Sequence, residues 1–218
     1  MNSVVKFGNS NLPSVTALSA SLRAMVVDVG PSGGGGGVAL LKMDRTGHWV
    51  FGADATEVES EALWAVNPFS FTHGYIAWGE GIVLGETMVS VQQPLPEREP
   101  APTGASKGWE VQIGMSLNCL SGADKGIDVR YSATSVGGKR SLDTLAKAIA
   151  DRTDVNPGKP VPVVKLGKAH YQHKAYGRIF TPVFEIVDWV DLNGESDAPA
   201  AADEAPAPAP AGRRRRSV

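Results

Sequence analysis

The chain has 218 residues, 42% hydrophobic and 20% charged, which fits one globular domain with an ordinary core and excludes a polypeptide unfolded throughout. Its single cysteine, Cys119, excludes an intramolecular disulfide, a thiolate metal cage and a CxxC redox pair, and suits a reducing compartment. The formal net charge of −2 hides a change of sign: residues 1–108 hold six basic and ten acidic side chains, whereas 129–184 holds ten basic ones against Asp143, Asp151 and Asp154.

The first residues, MNSVVKFGNSNLPSV, lack the basic and apolar regions of a secretory signal, and no run reaches the length of a membrane span, so a cytoplasmic protein is expected. Leu12, Val15, Leu18, Leu22 and Met25 follow helical spacing with Pro13 in the first turn, which predicts an amphipathic helix over 12–25. The glycine run 33–37 reads as a flexible joint. The expected organisation is therefore a helix and joint over 1–36, a β-rich binding domain over 37–190, and a disordered Ala/Pro tail over 191–218 ending in the cluster Arg213 to Arg216.

Within the domain, VALLKM, HWVF, GYIAW and IVLGETMVSV are short β-type runs punctuated by glycine and asparagine, and predict a meander. Residues 93–108 hold four prolines and several charges, which predicts a surface loop. Residues 109–120 alternate, with Val111, Ile113, Met115 and Leu117 on one side, and a turn over 121–126 joins them to a second strand over 127–135. A helix capped by Ser141, with Leu142, Leu145, Ala146, Ala148 and Ile149 as its apolar stripe, precedes two strands over 161–166 and 180–190. The expected fold class is a β-rich α+β domain, a partly open barrel of the OB type with an added N-terminal meander and one main helix. A generic α+β sandwich fits the same order of elements.

Chemistry concentrates in the second half. Lys165, Lys168, Lys174 and Arg178 are interleaved with His170, Tyr171, His173 and Tyr176, and no acidic residue interrupts them. Cations neutralise phosphates while rings stack on unpaired bases, the combination that grips a single strand without reading its sequence. An edge strand guarded by lysines is the alternative reading of this stretch. Lys139 and Arg140, within SVGGKRS ahead of Leu142, offer two cations at a helix start, where a flexible turn into a capped helix also fits. The P-loop spacing is missing there.

Other clusters carry less. His170 and His173 stand three apart, so a strand points them to opposite faces, and no metal site is expected. Asp54, Glu57, Glu59 and Glu61 read as a solvated acidic surface, His48 and His73 as ordinary polar residues, and the five tryptophans as core anchors. No elbow motif and no dinucleotide fingerprint is present, so a protein without catalytic residues, cofactor or metal is expected. The cationic tip of the tail reads either as a salt-sensitive hold on nucleic acid or as a solubility appendage.

WAVNP at 64–68, GYIAW at 74–78, LNCL at 117–120, PVV at 162–164, YQHKAYG at 171–177 and TPVFEIVDW at 181–189 resemble a group of tailed-phage and prophage proteins from replication and recombination modules. The resemblance implies a phage origin and, for a phage-encoded chain, the host cytoplasm. With the basic aromatic stretch, the expected function is single-stranded DNA binding without catalysis, through Lys139, Arg140, Lys165, Lys168, Tyr171, Lys174, Tyr176 and Arg178. Replication or recombination proteins are the expected further partners. An interaction or accessory module without direct nucleic-acid binding is the competing reading.

Overall fold

A computed structural model describes residues 38–194; the expected helix over 12–25, the glycine run and the Ala/Pro tail with its arginines lie outside the described residues. Ten strands follow in chain order: β1 (Ala39–Met43), β2 (Trp49–Phe51), β3 (Thr56–Glu57), β4 (Leu63–Val66), β5 (Thr72–Gly79), β6 (Ile82–Ser90), β7 (Trp109–Cys119), β8 (Asp128–Ala133), β9 (Val161–His173) and β10 (Gly177–Val190). One long helix, α1 (Val136–Val155), separates β8 from β9. The β-rich α+β class expected from the residues is what forms, as a strongly curled half-barrel sheet with the helix packed on it.

The sheet runs in the order β10-β9-β4-β7-β8-β1-β2-β3, with β5 pairing β6 and β7. Strand β7 is long enough to serve two partners: its first half pairs with β5 and its second with β4. A 3-10 turn at Pro68–Ser70 makes the corner between them, capped by Asn67, whose side chain accepts from the Phe69 N–H. All neighbouring strands run antiparallel except β1 and β8, which are parallel, with Leu41 opposite Tyr131.

Alternation explains which faces are buried. Met115, Leu117 and Cys119 of β7 and Val129, Tyr131 and Ala133 of β8 point inward, where they meet Trp64, Leu41 and, from the helix, Leu142, Leu145 and Ile149. The rings of Trp49, Tyr131 and Phe184 form a mutual trio with centroids 5.4–5.5 Å apart. Trp49 also donates its indole Nε1–H to the Gly167 carbonyl at 2.8 Å, drawing the β2 end of the sheet toward β9. Burial pushes the Tyr131 phenol up to about 12, so this ring stays neutral across the physiological range.

The helix begins six residues earlier than its sequence suggests. Ser135, not Ser141, is the cap, its Oγ accepting from the Gly138 N–H at 3.1 Å. The glycine pair that reads as a turn lies in the first helical turn because the helix meets the sheet closely there. A Cβ on Gly137 would stand 2.6 Å from Thr181 Cγ2, and one on Gly138 2.7 Å from the Ala133 Cβ. Gly138→Ala should therefore destabilise the fold by about 1–3 kcal/mol despite alanine's better helix propensity, read as a lower urea midpoint with unchanged slope.

The 93–108 segment is a loop as expected, and it is tied down. Ser106 N–H donates to the Trp78 carbonyl at 2.8 Å, Trp109 Nε1–H donates to the Glu99 carbonyl at 2.8 Å, and the Arg98 guanidinium lies 4.8 Å over the Tyr75 ring. Ahead of it, β5 and β6 form a hairpin closed by Glu80 and Gly81, both at positive φ, the two-residue turn whose twist suits antiparallel strands. Among the described residues no helix is long and apolar enough to cross a membrane.

Candidate nucleic-acid interface

Strand character in β9 does not stop at Leu166 but continues to His173, and β10 begins at Gly177. Beyond Lys165, where β4 stops pairing, β10 is the one partner of β9 among the described residues, so eight residues on each side form a two-stranded ribbon. At roughly 3.3 Å per residue it runs about 25 Å. No acidic residue occurs between Leu166 and Phe184, and most of the ribbon is exposed.

The pleat divides the expected site residues between two faces. Lys168 stands opposite Pro182, His170 opposite Phe180 and Gln172 opposite Arg178, while Tyr171 stands opposite Ile179 on the other face. Lys168 and Arg178 thus share one surface and Tyr171 belongs to the reverse, with Lys174 and Tyr176 in the connecting turn. The Lys168 ammonium lies 5.4 Å from the centre of the Phe180 ring, which holds it along the ribbon.

The turn is organised by a residue whose role the sequence did not reveal. His173 Nδ1 accepts the backbone N–H groups of Ala175 and Tyr176 at 3.1 and 3.3 Å, and its ring stacks on Tyr176 with centroids 4.8 Å apart. Gly177 completes the reversal at φ +71°. Tyr176 is consequently 78% exposed yet held at its root, and Tyr171 is 49% exposed.

Lys165 is not part of this free charge. Its ammonium donates to the Glu61 carboxylate at 2.6 Å, and that hydrogen bond and charge raise its pKa above the ordinary lysine value. Lys147 is likewise engaged by Asp143 at 2.8 Å, and Arg130 lies 3.8 Å from Glu86. Glu57 lies 4.0 Å from His48, and Glu59 accepts the Ala123 N–H, so three of the four acidic residues between Asp54 and Glu61 have partners. Among the described residues no group of three His, Cys, Asp or Glu side chains is gathered as a metal site would require.

Arg140 reaches the ribbon from the helix, whereas Lys139 does not line the same space. Arg140 and Tyr171 border a groove of about 470 Å³ between α1 and β10, whose other walls include Leu145, Val183, Phe184 and Ile186. It is apolar at its base and cationic and aromatic at its mouth. The arrangement offers charge and ring surface to an extended polyanion, and no nucleophile paired with a base stands in it. Comparison with family models, curated proteins and solved structures finds no match to this chain.

Proposed function

We propose that this chain is a single-stranded DNA-binding protein without catalytic activity, acting in phage DNA replication or recombination. The observation that carries the reading is the exposed β9–β10 ribbon, where Lys168, Lys174 and Arg178 alternate with Tyr171 and Tyr176 and no carboxylate intervenes. Phosphates meet the cations, and unpaired bases have rings on which to stack.

The strand succession supports the same reading. Taking β4 and β5 as one bent strand and setting aside β1 to β3 and β6, which pairs with β5 alone among the described strands, the order is that strand, β7, β8, helix, β9, β10, with β9 returning against β4. An OB barrel has this order, and oligonucleotides bind such barrels between the loop joining strands one and two and the loop joining strands four and five. In this chain the latter is the ribbon. Beside β8, the position of a closing fifth strand is held by β1, which leaves β10 as an edge. The phage setting rests on the resemblance carried by segments such as YQHKAYG and TPVFEIVDW.

Fluorescence anisotropy of labelled oligo-dT over a salt series tests the proposal. Affinity should fall steeply with salt, by a slope of about −0.7 per phosphate contacted, and no binding at about 50 mM salt removes it. The ion pair at Lys165 gives a further expected result. Lys165→Ala should change affinity by less than about twofold, whereas Glu61→Gln, by releasing that ammonium, should raise affinity and steepen the slope by about 0.7.

The apolar base of the α1–β10 groove favours a second reading, an accessory module that grips a protein segment. Recovery of a partner from infected cells that survives nuclease treatment, with no oligo-dT binding, is the result that selects it.

A further inference from the structure

The ribbon's Lys168 and Arg178 face borders a second depression, of about 620 Å³, between the ribbon and the turn joining β1 to β2. Met43, Asp44 and Arg45 line one side, and Tyr176, Arg178 and Phe180 the other. We infer that this cleft is a subsite for one nucleotide of a bound strand, Arg45 and Arg178 taking the phosphate from opposite walls and Tyr176 with Phe180 taking the base. The inference rests on the single-strand reading above and adds Arg45, a residue from the acidic half of the chain.

Three features of the cleft carry it. First, both guanidiniums are exposed, and among the described residues neither forms an ion pair, so each keeps its charge for a ligand. Second, the one acid in the lining is occupied by its own turn. Asp44 Oδ1 accepts from the Thr46 N–H, the Thr46 hydroxyl and the His48 N–H, each at 2.8 Å. Partial burial raises the Asp44 pKa, but the His48 and Thr46 donors and the His48 ring lower it by more, leaving it below the ordinary aspartate value. The carboxylate therefore shapes the turn that presents Arg45 and has little capacity left to pair with it.

Third, the two walls are locked together. Gly47 lies at φ +79° directly beneath the ribbon, where a Cβ would stand 2.6 Å from Phe180 Cδ1 and 3.0 Å from Lys168 Cδ. Backbone bonds from Asp44 N–H to the His48 carbonyl (2.8 Å) and from Gly47 N–H to the Asp44 carbonyl (3.1 Å) keep the turn tight. Arg45 and Arg178 are thus rooted in segments whose spacing is set by packing. Bidentate guanidinium donors on two sides suit a phosphodiester better than lysines would, because their planar forks match its oxygens. The volume is within the range of pockets that enclose a small organic ligand.

The test compares wild type, Arg45→Ala, Arg45→Lys and Tyr171→Ala in the oligo-dT anisotropy assay, with near-ultraviolet circular dichroism as a check on folding. Arg45→Ala should weaken binding about tenfold and make the salt slope shallower by about 0.7, the loss of one phosphate contact, and Arg45→Lys should restore the slope but only part of the affinity. Irradiation of an oligonucleotide containing 5-iododeoxyuridine should place an adduct on Tyr176 or Phe180. If Arg45→Ala keeps wild-type affinity and slope while Tyr171→Ala binds more weakly, the subsite is wrong and the ribbon reading stands. If wild type binds no oligonucleotide, both fall.

Discussion

Trp49→Ala should destabilise the fold by about 3–5 kcal/mol, the range for truncating a buried large aromatic side chain. Trp49 is buried, contacts both Tyr131 and Phe184 in the ring trio, and donates the side-chain hydrogen bond that ties β2 to β9. Truncation removes the ring volume and leaves the Gly167 carbonyl without that donor. Trp49→Phe separates the two contributions, since it keeps an aromatic ring and loses the N–H. A cost of about 1–3 kcal/mol is expected for it, the range for a carbonyl left without its donor. Urea unfolding followed by circular dichroism reads both, and equal costs for the two variants would show that the hydrogen bond, not the packing, dominates.

Tyr176→Ala and Tyr171→Ala should each weaken oligo-dT binding by about 1–3 kcal/mol, a factor of roughly 5–150, with stability almost unchanged because both rings are exposed. Phenylalanine at either position should bind nearly as wild type, since stacking needs the ring and not the hydroxyl. Tyr176 should be the more sensitive of the two, because His173 holds its backbone and stacks on its ring, so less freedom is lost on binding. His173→Ala should then reproduce part of the Tyr176→Ala loss with the tyrosine still present. Equal affinity of wild type and the Tyr171→Ala/Tyr176→Ala double variant excludes base stacking on the ribbon.

Most strands were legible because their residues alternate: β8 and β7 from Met115 onward bury every second side chain, and in β10 Phe184 and Ile186 turn toward the same core between exposed neighbours. The outer half of β9 was not. After Leu166 the residues Lys168, His170, Tyr171, Gln172 and His173 show no apolar alternation, and their extended conformation comes from pairing with β10, a partner supplied by the tertiary structure. The start of α1 was misread for a related reason. Gly137 and Gly138 disfavour a helix locally, but contacts with Thr181 and Ala133, remote or across the cap, require residues without a Cβ.

The candidate site shows the same division. Composition alone identified the basic, ring-rich stretch, since clustering of residue types is a property of sequence. Which charges remain available was not readable: Glu61 and Lys165 are 104 residues apart, and only the β4–β9 pairing brings them together. Nothing in the sequence marks Arg45 itself, which belongs to the half of the chain with an acidic excess. The one signal pointing to it, an aspartate followed by Thr46 and Gly47 in Asp-Arg-Thr-Gly-His, marks a tight turn but not what lies across from it.

The bond from Trp49 to Gly167 joins residues 118 positions apart, and the parallel pairing of Leu41 with Tyr131 is nearly as remote. At roughly 5–20 residues per second of synthesis, β2 waits about 6–24 s on the ribosome before its partner carbonyl exists. Throughout that interval Trp49 and the strands beside it have no ribbon to cover them. Refolding from denaturant should accordingly be slow for a protein of this size, as expected where pairings such as β1 with β8 and β4 with β9 join remote segments, and nascent chains should be more prone to aggregate than the finished fold.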